Sequence, residues 1–221
     1  PLSGIIPIDE AAAPYANPLI FLFLGGFMLA LSFERWNLHR RIALTVLQRV
    51  GARPAMLVAG FLVTAAALSM WVSNTATALM MLPIGLSVIK LLHTDGVAAL
   101  PAGEDRNFAV ALLLGIAYGA TIGGLGTLIG TPPNALLAAF MAETQGVSIG
   151  FGQWMLLGVP LVIVMLPLAW LILTKIAFPV GSAAIPGAAD VIAQELGALE
   201  RMSAPEKRVA VVFCAIAALW I

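Results

Sequence analysis

Charge is what this sequence has least of. Only 10% of its 221 residues are Asp, Glu, Lys or Arg, against 61% hydrophobic, and the mean hydropathy is +1.02. Such values lie far outside the range of a soluble globular domain and place the chain in a bilayer. Eleven basic residues balance eleven acidic ones, so nothing in the net charge points to a nucleic-acid partner. A single cysteine, Cys214, excludes a disulfide framework and a CxxC metal site, and two histidines, His39 and His93, exclude a His-rich metal centre. Residues 1–17 are polar and acidic rather than basic and then apolar, so they do not read as a signal peptide. The sequence opens on Pro1 and closes on an apolar run, 210–221, too short for a full span, and so it reads as a fragment.

What is abundant is uncharged apolar sequence, and its lengths predict the topology. Residues 17–33, "NPLIFLFLGGFMLALSF", suffice for one crossing of the roughly 30 Å hydrocarbon layer. From 35 to 52 the texture becomes amphipathic: Leu38, Ile42, Ala43, Val46, Leu47 and Val50 recur at helical spacing, opposite Arg40, Arg41, Gln48 and Arg49, with Gly51 as the stop. Residues 55–89 carry no charge at all, and one straight helix of that length would reach about 52 Å. The run must therefore fold back, and "SNT" at 73–75 is the natural break, giving limbs of 18 and 14 residues. A re-entrant hairpin over 54–90 is favoured, although two complete spans return to the same side equally well. A second uncharged run, 108–142, is interrupted by "GGLGTLIGTPPN" at 123–134, so that helix ends before this segment and restarts after it. Residues 151–177 form the next span, 179–208 a cytoplasmic linker with a short helix at 188–201, and a last span starts at 209. Every basic residue then falls on the cytoplasmic side, with the N-terminal segment outside. Residues 91–107 read as a polar loop, with His93 in it; His39 reads as interfacial and Cys214 as a core residue.

The two interruptions carry the chemistry. Backbone that leaves helical geometry at membrane depth survives only where protein or a lined cavity satisfies its N–H and C=O groups. The side-chain oxygens of Ser69, Ser73, Asn74 and Thr75 can join carbonyls freed in 123–134 to make an uncharged oxygen cage, which suits a hard cation such as Na⁺. A helix restarting after each break aims its positive end at the same place, which attracts an anion. Neither run contains Asp, Glu, Lys or Arg, so the bound cation would supply the counter-charge. Plainer readings are that Ser, Asn and Thr bond a neighbouring helix and that the glycines and prolines only kink one. The spacing G-x-G-x-x-x-G in "GLGTLIG", with no strand before it, does not make a dinucleotide loop.

"SNTAT" followed by "MMLP", then "IGGLGTLIGTPPN", together with "FERWNLHRR", resembles the first half of the divalent anion/sodium symporters, which move dicarboxylates, citrate or sulfate. The resemblance covers nearly the whole chain. It implies an all-α polytopic membrane protein containing one inverted repeat, with a re-entrant helical hairpin and a broken transmembrane helix (107–142). It implies a sodium site at Ser69, Ser73, Asn74 and the Gly130 backbone, and substrate contacts from Asn74, Thr75 and Thr131. It implies a homodimer in the bacterial inner membrane that works as an elevator, with residues 1–34 as scaffold, 35–52 as arm and 53–178 as the moving part. Na⁺ is the coupling ion, with no organic cofactor. Only one Ser-Asn-Thr tip and one glycine-proline break are present, so the other half of the pocket is missing.

Sodium-coupled symport of a small di- or tricarboxylate is the leading expectation. The alternatives are a carrier of an inorganic oxyanion such as sulfate, or a proton-coupled one, which normally uses an intramembrane carboxylate or histidine. An intramembrane enzyme would need a nucleophile with a base or a metal cluster, and the two uncharged runs hold no His, Cys, Asp or Glu.

Overall fold

The computed structural model describes residues 7, 18–93 and 103–220. The expected outward N-terminal segment and most of the polar loop 91–107 lie outside the described residues. Among the described residues the chain is all helical, with no strand: α1 Pro18–Arg35, α2 Leu38–Gln48, α3 Pro54–Ser69, α4 Asn74–Lys90, α5 Glu104–Gly124, α6 Pro132–Gln145, α7 Phe151–Leu171, α8 Ala188–Gly197 and α9 Ala204–Trp220. A 3₁₀ turn, Leu91–His93, comes after α4, and α7 continues as a π-helical stretch, Ile172–Ala177. Among the described residues two helices are long and apolar enough to cross a membrane, α5 and the continuous α7 with its π extension, Phe151–Ala177.

The helix boundaries differ from the sequence expectation in instructive ways. The first break lies a few residues earlier than the polar cluster implied. Only residues 70–73 separate α3 from α4, and the limbs are 16 and 17 residues long. Ser73 caps α4 by accepting from Ala76 N–H at 3.2 Å, so Asn74 and Thr75 stand in the first helical turn and not in the gap. In the second break the prolines open α6 instead of lying before it, because a missing N–H costs nothing at the first helical positions. The non-helical segment is therefore 125–131.

Small residues let α3 and α5 touch along their backbones. On α5, Gly115, Gly119 and Gly123 recur every fourth residue and face Val58, Leu62 and Ala66 of α3, which recur likewise. A Cβ at Gly119 or Gly123 would run into the carbonyl of Leu62 or Ala66. Around this seam lie Phe61, Phe108, Leu112, Met81 and Val88, all essentially inaccessible to solvent.

The amphipathic helix α2 turns its buried stripe, Ala43, Leu44 and Leu47, into this same core, while Ile42 stays exposed. The protein itself thus covers part of the apolar stripe. Part of the linker after α7 belongs to the core as well: Ile185, Ala188 and Ile192 are buried, and Ile185 N–H donates to Ala52 O at 2.9 Å. Two ion pairs fasten α2 to the C-terminal helices α8 and α9. Arg40 meets Glu195 of α8 at 2.5 Å, and Arg41 grips both carboxylate oxygens of Glu206 at 2.5 and 3.3 Å while donating to Glu200 O. Glu206 also closes a reciprocal capping box with Ser203. That box starts α9 at Ala204, five residues before the expected span. "SAPE" in the sequence carries the signature. Cys214 on α9 is exposed, not a core residue, because the helix buries little beyond Glu206 in this chain.

Candidate ion and anion site

The tip of the α3–α4 hairpin is built by local hydrogen bonding. The N–H groups of Met70, Trp71 and Val72 still bond back to Ala66 and Leu68, so the chain leaves α3 in one tight turn. Ser69, the last residue of α3, is fully buried, and its hydroxyl donates to Asn74 Oδ1 at 2.5 Å. One side chain from each limb is thereby joined across the turn. Ser73 takes the Ala76 N–H on its hydroxyl and the Thr77 N–H on its carbonyl. That leaves the Asn74 and Thr75 N–H groups as orphan donors at the start of α4.

The 125–131 segment is tied down by Asn134, to which neither the hydropathy pattern nor the family resemblance assigns a role. This residue, in the first turn of α6 and 4% exposed, spends both amide hydrogens on Gly124 O at 2.8 Å and Thr127 O at 2.7 Å. Trp154 of α7 donates its indole N–H to Leu125 O at 2.9 Å, and the N–H groups of Leu125 and Gly126 bond to Ile122 and Gly123. Most carbonyls freed at the end of α5 are therefore answered by protein, as burial requires. "PPN" directly after the glycines is the available signal: a short amide just inside a proline-started helix is placed to reach back over the break.

The two interruptions meet. Thr127 donates its hydroxyl to Met70 O, and a Cβ on Gly126 would press into the Met70 side chain. The Asn74 amide lies over Gly124, whose Cβ, if it had one, would stand 2.6 Å from Asn74 Oδ1. Gly130 packs on the other side of the same residue, its Cβ position 2.5 Å from Gly124 O. Ser69, Asn74, Gly124 and Gly130 thus form one continuous cluster. Ser73 and Gly130 also line a cavity of about 60 Å³ closed by Phe27 of α1, by Trp71 and by Pro132. It has room for a water or a small ion but not for a dicarboxylate. Thr75 is exposed and Thr131 half-buried, at the openings of α4 and α6.

The anion-attracting ends are unequal. Pro132 and Pro133 deprive α6 of two of its first donors, and Asn134 N–H bonds back to Thr131 O at 3.1 Å. The start of α4 retains its two. Of the two helix starts expected to attract an anion, that of α6 thus lacks two backbone donors that its prolines remove.

The whole chain, residues 1–221, matches the family described as citrate transporter, CitMHS. It belongs to that family. Among curated proteins of this kind, the sodium-dependent dicarboxylate transporters SdcS of Staphylococcus aureus strains USA300 and NCTC 8325 are each 43% identical over 221 residues, covering 100% of this chain and 42% of the relative. The chain thus spans less than half the length of the relatives it matches. Citrate transporter family members and these relatives are membrane transporters and not enzymes.

Proposed function

We propose that this chain forms one half of a sodium-coupled symporter for small di- or tricarboxylate anions. The observation that carries the reading is the Ser69–Asn74 pair lying against Gly124, on which Gly130 packs in turn, so that two interrupted helices meet in uncharged surroundings. Every donor atom offered there is oxygen: the Ser69 and Ser73 hydroxyls, Asn74 Oδ1 and the Gly130 carbonyl. A hard alkali cation takes such a set. The Ser69 hydroxyl satisfies Asn74 Oδ1, and a cation competes for both oxygens, the hydroxyl turning its proton away to offer a lone pair. Asn74, Thr75 and Thr131 then contact a substrate carboxylate, helped by the two orphan N–H groups of α4. Coupling results, because the ion neutralises a site that lacks any arginine or lysine of its own.

Several features support the mechanical part of the proposal. Limbs of 16 and 17 residues lie at or below the shortest length that spans the hydrocarbon layer, which favours a re-entrant hairpin over two crossings. The close α3–α5 seam makes 53–178 a unit able to move as one body. Helix α1 is the scaffold and α2 the arm, in a homodimeric elevator of the inner membrane whose second repeat completes the pocket. Each net positive charge carried inward gains about 2.3 kcal/mol per 100 mV of membrane potential.

The test is radiolabelled succinate, citrate and sulfate uptake into proteoliposomes containing the full-length protein, with and without a sodium gradient. Uptake of a carboxylate that needs sodium and is lost in Asn74→Ala is the expected result. Sulfate uptake alone, or uptake driven by a proton gradient without sodium, would replace the reading with that of an oxyanion or proton-coupled carrier.

A further inference from the structure

An apolar groove runs between α3 and α7, away from the ion and anion site. Its walls are Met56, Ala59 and Val63 on one helix and Leu166, Pro167 and Trp170 on the other, enclosing about 230 Å³ with no polar side-chain group facing it. Pro167 lies inside α7, and at one end of the groove the Trp170 indole N–H donates to Ala55 O at 2.7 Å, which fixes the ring as a floor. The two helices run antiparallel here, since Trp170 pairs with the first turn of α3. The residues just beyond that end are therefore Arg53, which precedes Pro54, and Lys175, in the π-helical stretch. Both are exposed, and the ion pairs among the described residues involve other cations, Arg40 and Arg41. A slot for hydrocarbon thus leads to two exposed positive charges at the depth where the apolar sequence stops.

We infer that this groove holds an acyl chain of an anionic phospholipid whose headgroup phosphate lies against Arg53 and Lys175. Charge decides between lipids: a zwitterionic headgroup returns a cation to a place that already has two, whereas an anionic one neutralises them. The inference needs only the membrane placement of α3 and α7, and its outcome is read from lipid binding, independently of transport.

The test uses a full-length variant that keeps Trp170 as its sole tryptophan, reconstituted in phosphatidylcholine vesicles with rising fractions of brominated phosphatidylglycerol or brominated phosphatidylcholine. Trp170 fluorescence is expected to be quenched by the anionic lipid with roughly thirtyfold higher relative affinity, about fivefold for each basic residue at a membrane surface. Arg53→Gln with Lys175→Gln should erase that preference, Arg208→Gln should leave it, and Ala59→Phe should reduce quenching by both lipids. Equal quenching by the two lipids, or a preference that survives the double substitution, overturns the inference. So does Trp170 left unquenched by either, the result if the remainder of the protein covers the groove. Should the single-tryptophan variant not fold, native mass spectrometry of the full-length protein supplies the same decision, through the loss of co-purified anionic lipid in the double variant.

Discussion

The Ser69 hydroxyl and Asn74 Oδ1 stand 2.5 Å apart, one on the last residue of α3 and the other on the first of α4. Two helices that fold back on each other thereby present a single pair of oxygens, and that pair rests on a glycine of a third helix. Removing the Ser69 oxygen leaves the turn intact but takes one donor from the cage. Ser69→Ala in the full-length protein is expected to raise the sodium concentration for half-maximal uptake about tenfold, the worth of roughly one hydrogen bond. Sodium titration of initial uptake rates checks it. An unchanged sodium dependence would show that Ser69 does not contact the ion.

Asn134 closes the broken helix on itself. Truncation to Ala takes the Asn134 donor from Gly124 O and leaves Thr127 O with only the Gly130 N–H at 3.3 Å, at a cost of about 1–3 kcal/mol for the carbonyl left unsatisfied. Asn134→Ala is expected to lower the unfolding temperature of the purified protein and to weaken sodium-dependent uptake beyond the loss of folded protein, because the Gly130 carbonyl is held by this segment. Asn134→Leu, which keeps the size but offers no donor, should behave like Ala in both measurements.

The α3–α5 seam leaves no room for a methyl group at Gly119 or Gly123, where a Cβ would strike backbone rather than a movable side chain. Either substitution to Ala should destabilise by about 1–3 kcal/mol or more, the cost of overpacking a core. Gly197→Ala is the control, since nothing lies within 4 Å of its Cβ position. Thermal unfolding in detergent separates the three variants, and a Gly123→Ala protein as stable as the control would contradict the close packing.

The two ion pairs of α2 should differ in weight. Glu206, with its side chain 6% exposed, serves both Arg41 and the α9 cap, whereas Arg40 and Glu195 are 40% and 32% exposed. Removing the part-buried carboxylate with Glu206→Ala is expected to cost about 1.5–3 kcal/mol, the worth of hydrogen bonds to a charged group. Glu195→Ala at the exposed pair is expected to cost about 0–1 kcal/mol. Denaturant titration of both variants and of Arg41→Ala tests the ranking, which disappears if the linker is not seated on α2 in solution.

Membrane placement and the two interruptions were legible in the sequence, because both depend on local physics. Thirty-five uncharged residues cannot cross a bilayer as one straight helix, and adjacent glycines and prolines cannot continue one. Helix ends were less legible: Ser73, the paired prolines and the Ser203–Glu206 box each moved a boundary by a few residues through capping that the hydropathy pattern does not register. Which residues meet was decided only by tertiary structure. The stripe Gly115, Gly119 and Gly123 lets α5 approach α3 closely enough for Gly124 to lie under Asn74 and for Thr127 to reach Met70. The sequence by itself determined that two polar breaks must be shielded from lipid. The packing of α3 on α5 decided that they shield each other, because backbone contact across glycines depends on how two distant segments dock and not on the composition of either.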